Sequence, residues 1–103
     1  MKLKLLYFLI FWMFVFTKVN SDEFYKLGKE VFLNNGNCAS CHTLKDANSM
    51  ANVGPNLNLI KPDIGRVINS VTNGIGVMPS MLGILSSDEI KAVAYYVSEA
   101  SMK

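Results

Sequence analysis

The chain has 103 residues, and its ten Lys and Arg residues against eight Asp and Glu residues give a formal net charge of +2. Three of those lysines lie in the first 21 residues, so residues 22–103 carry seven basic and eight acidic side chains, a net charge of −1. The basic residues are scattered, which argues against a nucleic-acid-binding surface. The remaining 82 residues suffice for one domain, and so small a domain usually needs a disulfide, a metal or a cofactor to complete its core.

Residues 1–21 have the pattern of a secretory signal peptide. Two lysines precede an unbroken apolar run over residues 5–16, and the polar end closes with Ser21, a small residue of the kind that signal peptidase requires. We predict cleavage after Ser21, export to the periplasm and a mature domain over residues 22–103. A retained membrane anchor and a lumenal location are the alternatives, but a spanning helix needs roughly 20 apolar residues and Lys18 interrupts the run too early.

The start of the mature domain has helical spacing. Its apolar residues recur at intervals of three and four and form one face: Phe24, Leu27, Gly28, Val31 and Phe32. The sequence Asn-Asn-Gly at 34–36 predicts the end of this helix, with Asn35 or Gly36 in the left-handed conformation. Gly28 costs about 1 kcal/mol in a helix relative to Ala, so its place on the apolar face suggests that another helix approaches the backbone there.

The segment Cys-Ala-Ser-Cys-His at 38–42 contains the only two cysteines and the only histidine of the chain. A disulfide or thioredoxin-type redox pair of Cys38 and Cys41 leaves His42 unexplained, and it expects a βαβ context that the pattern lacks. A structural zinc site needs about four Cys or His ligands, and the segment offers three.

The spacing Cys-x-x-Cys-His is also the attachment signature of c-type haem, and this interpretation uses all three side chains. The thiols of Cys38 and Cys41 can form thioethers to the two vinyl groups of one porphyrin, and the imidazole of His42 is then held beside the iron. We therefore predict one covalently bound haem c, with His42 as the proximal iron ligand.

A third predicted helix, between the two at the ends of the mature domain, covers residues 63–74. Asp63 is placed to cap its first turn, and Asn73-Gly74 predicts its end. Its apolar positions again fall at helical intervals: Ile64, Val67, Ile68 and Val71.

The last stretch, residues 85–103, is the clearest helix. Ser86 and Glu89 form a capping box, and a buried stripe follows: Ile90, Val93, Ala94 and Val97. Since no segment shows strand alternation, the predicted fold is all-α, and its long loops are reasonable if they wrap a large apolar ligand.

A methionine opposite the histidine is the usual second ligand of a cytochrome c iron, and it raises the reduction potential. Met50 follows His42 too closely to reach the opposite face, and Met102 lies at the chain end. Met78 and Met81 lie in the loop before the last helix, where the chain must return over the other side of the haem. They are the predicted candidates.

The sequence resembles the class I cytochromes c, in particular the small bacterial and photosynthetic cytochromes of the c6, c5 and c553 type. The resemblance covers the whole mature domain. It is carried, in order, by GKEVF at 28–32, CASCH at 38–42, VGPNL at 53–57, VTNGIGVMPSM at 71–81 and LSSDEIKAVAYYV at 85–97. It implies a cytochrome c fold, in which the N- and C-terminal helices cross and the third helix and long loops surround one haem.

The resemblance also implies roles for individual residues. Gly28 and Phe32 would cross the last helix near Tyr96. The carbonyl of Pro55 would accept a hydrogen bond from the proximal imidazole, and Leu57 would pack on the haem.

Met78, directly before Pro79, matches the position of the sixth iron ligand. Met81 departs from the family pattern and leaves open a competing ligand.

With both axial positions filled by the protein, the expected function is single-electron transfer rather than enzymatic catalysis. The resemblance implies a periplasmic monomer that exchanges electrons with a reductase and an oxidase or dehydrogenase, meets membranes only through those complexes, and docks through a largely apolar patch near Ala39. Three alternatives stay open: a haem-bearing subunit of a periplasmic oxidoreductase complex, for example a sulfur-oxidising one, a thiol-disulfide protein, and a ligand sensor.

Overall fold

The computed structural model describes residues 20–103, so the predicted signal peptide lies outside the described residues except for its last two positions. Most of the regular structure is helical: α1 Ser21–Glu30, α2 Leu57–Ile60, α3 Ile64–Asn73 and α4 Ser87–Ala100. A small antiparallel hairpin joins β1 Thr43–Leu44 to β2 Ser49–Met50. In the part of the chain described, no helix is both long and apolar enough to cross a membrane.

Helix α1 begins one residue before the predicted start of the mature domain, because Asn20 caps it by accepting a hydrogen bond from the Glu23 amide at 2.9 Å. It continues into a single π-helical turn over Val31–Asn35. The predicted end near residue 36 is correct, but the left-handed residue is different. Gly36 has φ −92°, whereas Asn37 has φ +52° and makes the turn.

Helices α1 and α4 cross in direct contact at Gly28, as its place on the apolar face predicts. A methyl group there would overlap the carbonyl oxygen of Ala92 and lie 2.5 Å from the Cβ atom of Tyr96. The fully buried ring of Phe32 meets the ring of Tyr96 edge-on, with 5.8 Å between centroids. Only a residue without a side chain permits this approach.

The predicted helix caps are present. Asp63 Oδ1 accepts from the Arg66 amide at 2.8 Å and starts α3. At α4, the Glu89 amide donates to Ser86 Oγ at 3.1 Å and the Ser86 amide donates to Glu89 Oε1 at 2.9 Å, which completes the capping box. Both helices therefore begin at the residues that the capping patterns in the sequence predicted.

The hairpin and α2 were not predicted, because strands of two residues and a helix of four are too short for a periodic pattern. Tertiary contacts hold them instead. Leu44 is fully buried, and the side chain of Asn58 in α2 accepts a hydrogen bond from the Lys45 amide at 2.8 Å. These contacts bring the segment after His42 against the main core, which has these members at its centre: Val31, Phe32, Leu44, Val93, Ala94 and Tyr96.

Replacing Gly28 with Ala tests the helix crossing. We expect Gly28→Ala to lower the free energy of unfolding by about 1–3 kcal/mol, since overpacking against backbone forces the helices apart. Gly65→Ala is the control, because the nearest atom to the added methyl is Asp63 Oδ1 at an ordinary 3.5 Å, and Ala gains about 0.5–1 kcal/mol in a helix. Denaturant unfolding of the two holoproteins makes the comparison. Equal stability of the two variants would contradict the close crossing.

Candidate haem site

The two cysteines and the histidine lie on one tight turn. Cys38–Ser40 form a 3₁₀ turn, and the amides of Cys41 and His42 both donate to the carbonyl oxygen of Cys38, at 3.1 and 3.0 Å. Both cysteines are free thiols and half-buried. The turn therefore presents three reactive side chains within one short arc of backbone.

The environment of Cys38 disfavours thiol redox chemistry. Burial raises the pKa of its thiol to about 11, so the thiol stays protonated at neutral pH. Thiol-disulfide exchange needs the thiolate, which this site suppresses.

Within residues 20–103, no three His, Cys, Asp or Glu side chains converge on a possible metal position.

The imidazole of His42 has a fixed orientation. Its Nδ1 lies 2.7 Å from the carbonyl oxygen of Pro55, the contact that the family resemblance implies. Because a carbonyl oxygen can only accept, Nδ1 donates a proton in this contact, and in the neutral imidazole Nε2 is then the nitrogen with the lone pair that can bind a metal. Such a bond fixes the ring and raises its basicity as a ligand.

Gly54 allows this bond to form. A methyl group at Gly54 would lie 2.6 Å from Cε1 and 2.9 Å from Nδ1 of His42, so only glycine lets the backbone run along the ring. The Gly54 amide also donates to the Cys41 carbonyl at 2.7 Å, and Thr43 Oγ1 donates to the Ala51 carbonyl at 2.7 Å. The hairpin thus returns the chain to the ring of His42.

The loop with the candidate methionines is folded on itself. Ile75 and Met78 exchange backbone hydrogen bonds at 3.1 and 2.9 Å, and the Met81 amide donates to the Val71 carbonyl at 2.8 Å. Gly74 has φ +74°, and an added methyl there would lie 2.8 Å from the Met78 carbonyl oxygen. Met78 and Met81 are half-buried and pack against the core.

The other predicted site residues are placed as follows. Met50 and Met102 are exposed, whereas Leu57 is buried in the core and Pro55 is exposed. Gly54 was missed from the sequence as a site residue, although it precedes Pro55 within the quoted VGPNL motif.

Residues 24–97 match the family model described as "Cytochrome C oxidase, cbb3-type, subunit III". The chain is 36% identical to cytochrome c6 of Leptolyngbya boryana over 81 residues, which is 74% of this chain and 92% of the relative. It is 40% identical to cytochrome c6 of Chlorolobion braunii, over 69% and 84% of the two chains. The crystal structure of the c-type cytochrome SorU from Sinorhizobium meliloti superposes with a TM-score of 0.76 at 49% identity, over 81% of this chain and 97% of that one.

The chain belongs to the cytochrome c family and is a small class I c-type cytochrome with the cytochrome c fold. Membership implies a covalently bound haem c and indicates an electron carrier. The residues present fit such a group. The turn at 38–42 offers two free thiols beside an imidazole whose Nδ1 is engaged by the Pro55 carbonyl, and the absence of a side chain at Gly54 leaves room for the ring in this orientation.

Gly54→Ala tests the geometry at His42. The added methyl displaces the imidazole from Pro55, so the imidazole becomes less basic and, as the predicted proximal ligand, would donate less to ferric iron. We expect the reduction potential of the holoprotein to rise, and stability to fall by about 1–3 kcal/mol from overpacking. Cyclic voltammetry and thermal unfolding give the two values, with Gly65→Ala as the control. A potential equal to that of the wild type would contradict the account of the ring orientation.

Proposed function

We propose that this chain is a periplasmic carrier of single electrons. Cys38 and Cys41 bind the haem through thioethers, and Pro55 and Leu57 form part of its pocket. His42 and Met78 bind the iron from opposite sides. Haem c supplies the ferric/ferrous couple through which one electron enters and leaves. The observation that carries the proposal is the 2.7 Å hydrogen bond from His42 Nδ1 to the Pro55 carbonyl, which leaves Nε2 free for iron.

The choice of Met78 as the sixth ligand rests on its position in the loop. It stands directly before Pro79, as the family resemblance implies, and its amide and carbonyl are both held by Ile75. A methionine sulfur raises the reduction potential. With both axial positions filled, His42 and Met78 leave the iron no place for a substrate, so a change of oxidation state needs little rearrangement.

Partner docking is proposed to involve the loop that carries Met78. Residues 67–87 contain no charged side chain. Four apolar residues of this segment are between 67 and 90% exposed: Ile75, Val77, Leu82 and Ile84. An uncharged apolar surface favours brief contact with a reductase or an oxidase, with little dependence on salt.

The same exposed segment supports one alternative, in which the chain is the haem-bearing subunit of a periplasmic oxidoreductase complex, for example a sulfur-oxidising one. A permanent interface would bury these apolar side chains continuously. Gel filtration of extracts from the native organism distinguishes the two, because a free carrier elutes alone and a subunit elutes with its complex.

The location rests on the sequence pattern of residues 1–21. Expression of the full chain in a bacterium that has a cytochrome c maturation system should place the haem-containing protein in the periplasmic fraction. Sequencing of its N-terminus then gives the cleavage site, with Asp22 as the expected first residue. Recovery in the membrane fraction would favour the retained anchor.

Separate substitutions of Met78 and Met81 identify the sixth ligand. In Met78→Ala, we expect loss of the weak red absorption band of sulfur bound to ferric iron, a lower reduction potential and binding of carbon monoxide by the reduced protein. Met81→Ala is the matched control, since it removes a half-buried methionine of the same loop, and it should keep the band and bind no carbon monoxide. The reverse pattern would assign the ligand to Met81.

A further inference from the structure

The carboxylate of Asp46 joins the hairpin to both terminal helices. Asp46 lies at the hairpin tip between β1 and β2. Its Oδ2 accepts hydrogen bonds from Tyr25 in α1 and from Tyr96 in α4, both at 2.9 Å. The partners are 21 and 50 residues away along the chain. The side chain is partly buried, so these bonds are only partly exposed to competition from water.

Two lysines complete the cluster. Lys29 Nζ lies 3.5 Å from Asp46 Oδ2, and Lys103 Nζ lies 3.6 Å from Oδ1. Lys103 also donates to the Tyr25 hydroxyl at 3.0 Å and lies over its ring. Burial by itself raises the pKa of Asp46, but the hydrogen bonds from Tyr96 and Tyr25 and the lysine charges outweigh it and hold that pKa below its usual range. The carboxylate is therefore ionised at neutral pH.

The position of this cluster links it to the iron site. From the hairpin tip, β1 leads back to His42, and β2 leads forward to Gly54 and Pro55. These are the two ends of the hydrogen bond that orients the imidazole. The hairpin pairs through only two residues of each strand, and the Gly54–Cys41 and Thr43–Ala51 hydrogen bonds join its two ends directly. These local bonds do not fix the position of the hairpin against the terminal helices, which needs contacts from outside the hairpin.

We propose that Asp46 is a positioning residue for the proximal iron ligand. By fastening the hairpin tip to the crossed helices, its carboxylate fixes the position of the hairpin, and with it of the His42–Pro55 pair, against the core, and this position in turn sets the reduction potential. The inference rests on the proposed role of His42 as the iron ligand. Asn58, which accepts from the Lys45 amide at 2.8 Å, fastens the same tip from its other side.

Variants of Asp46 test the role in the holoprotein. Asp46→Ala removes both tyrosine hydrogen bonds and both lysine ion pairs of the carboxylate, and we expect a higher reduction potential and an upfield shift of the His42 Nδ1 proton in NMR spectra of the reduced state. Asp46→Asn keeps an amide oxygen to accept from both tyrosines, so both values should return close to those of the wild type. Tyr25→Phe removes one of the two tyrosine hydrogen bonds to Asp46, together with the Lys103 bond to the Tyr25 hydroxyl, and should give the same shifts at smaller size.

The matched control is Val97→Ala, which makes a cavity in the buried face of α4 and removes no hydrogen-bonding group of the cluster. It should lower the unfolding midpoint and leave the potential and the proton shift unchanged. The positioning role is wrong if Asp46→Ala lowers only the unfolding midpoint. It is also wrong if Val97→Ala changes the reduction potential as much as Asp46→Ala does. Failure of the proposed function is distinguishable, because the wild type would then lack an imidazole-ligated iron and its Nδ1 signal.

Discussion

The hydrogen bond from His42 Nδ1 to the Pro55 carbonyl oxygen is the interaction on which the site depends. It engages Nδ1 as a donor and leaves Nε2 as the ring nitrogen that, in the proposed function, binds the iron. Its ends lie 13 residues apart in the chain, and the hairpin between them makes the return. Gly54 is the steric condition for this return, because any side chain there would occupy the space of the imidazole.

The crossed terminal helices also support the hairpin that leads from His42 to Pro55. The contact at Gly28 brings Tyr25 of α1 and Tyr96 of α4 to the same carboxylate at the hairpin tip, so the packing of the terminal helices extends to the hairpin that follows His42. The described charges lie largely on the terminal helices and around Asp46, whereas the segment over 67–87 has none. The charged residues are thus concentrated on the terminal helices and around the hairpin, and the segment over 67–87 presents an uncharged, apolar surface.

Much of this could be predicted from the sequence, because helices leave periodic and capping signals. The capping box at Ser86 and the cap at Asp63 are local patterns, and Gly28 was informative because it is unfavourable where it stands. The hairpin left no signal in strands of two residues. The two tyrosine partners of Asp46 are separated from it by 21 and 50 residues, and such side-chain contacts leave no short-range pattern. The first helix was predicted to end with Asn35 or Gly36 in the left-handed conformation. Its π-helical turn instead runs through Asn35, and the left-handed residue is Asn37.

The central claim is that one haem, held by this fold with protein ligands on both faces, carries single electrons. An optically monitored potentiometric titration of the wild-type holoprotein tests it most directly. The account predicts a single one-electron transition between two low-spin spectra, with the red sulfur band disappearing in step with reduction and with no response to carbon monoxide. A high-spin spectrum, a second transition or a spectrum altered by carbon monoxide would show an open or exchanging iron site and contradict the account.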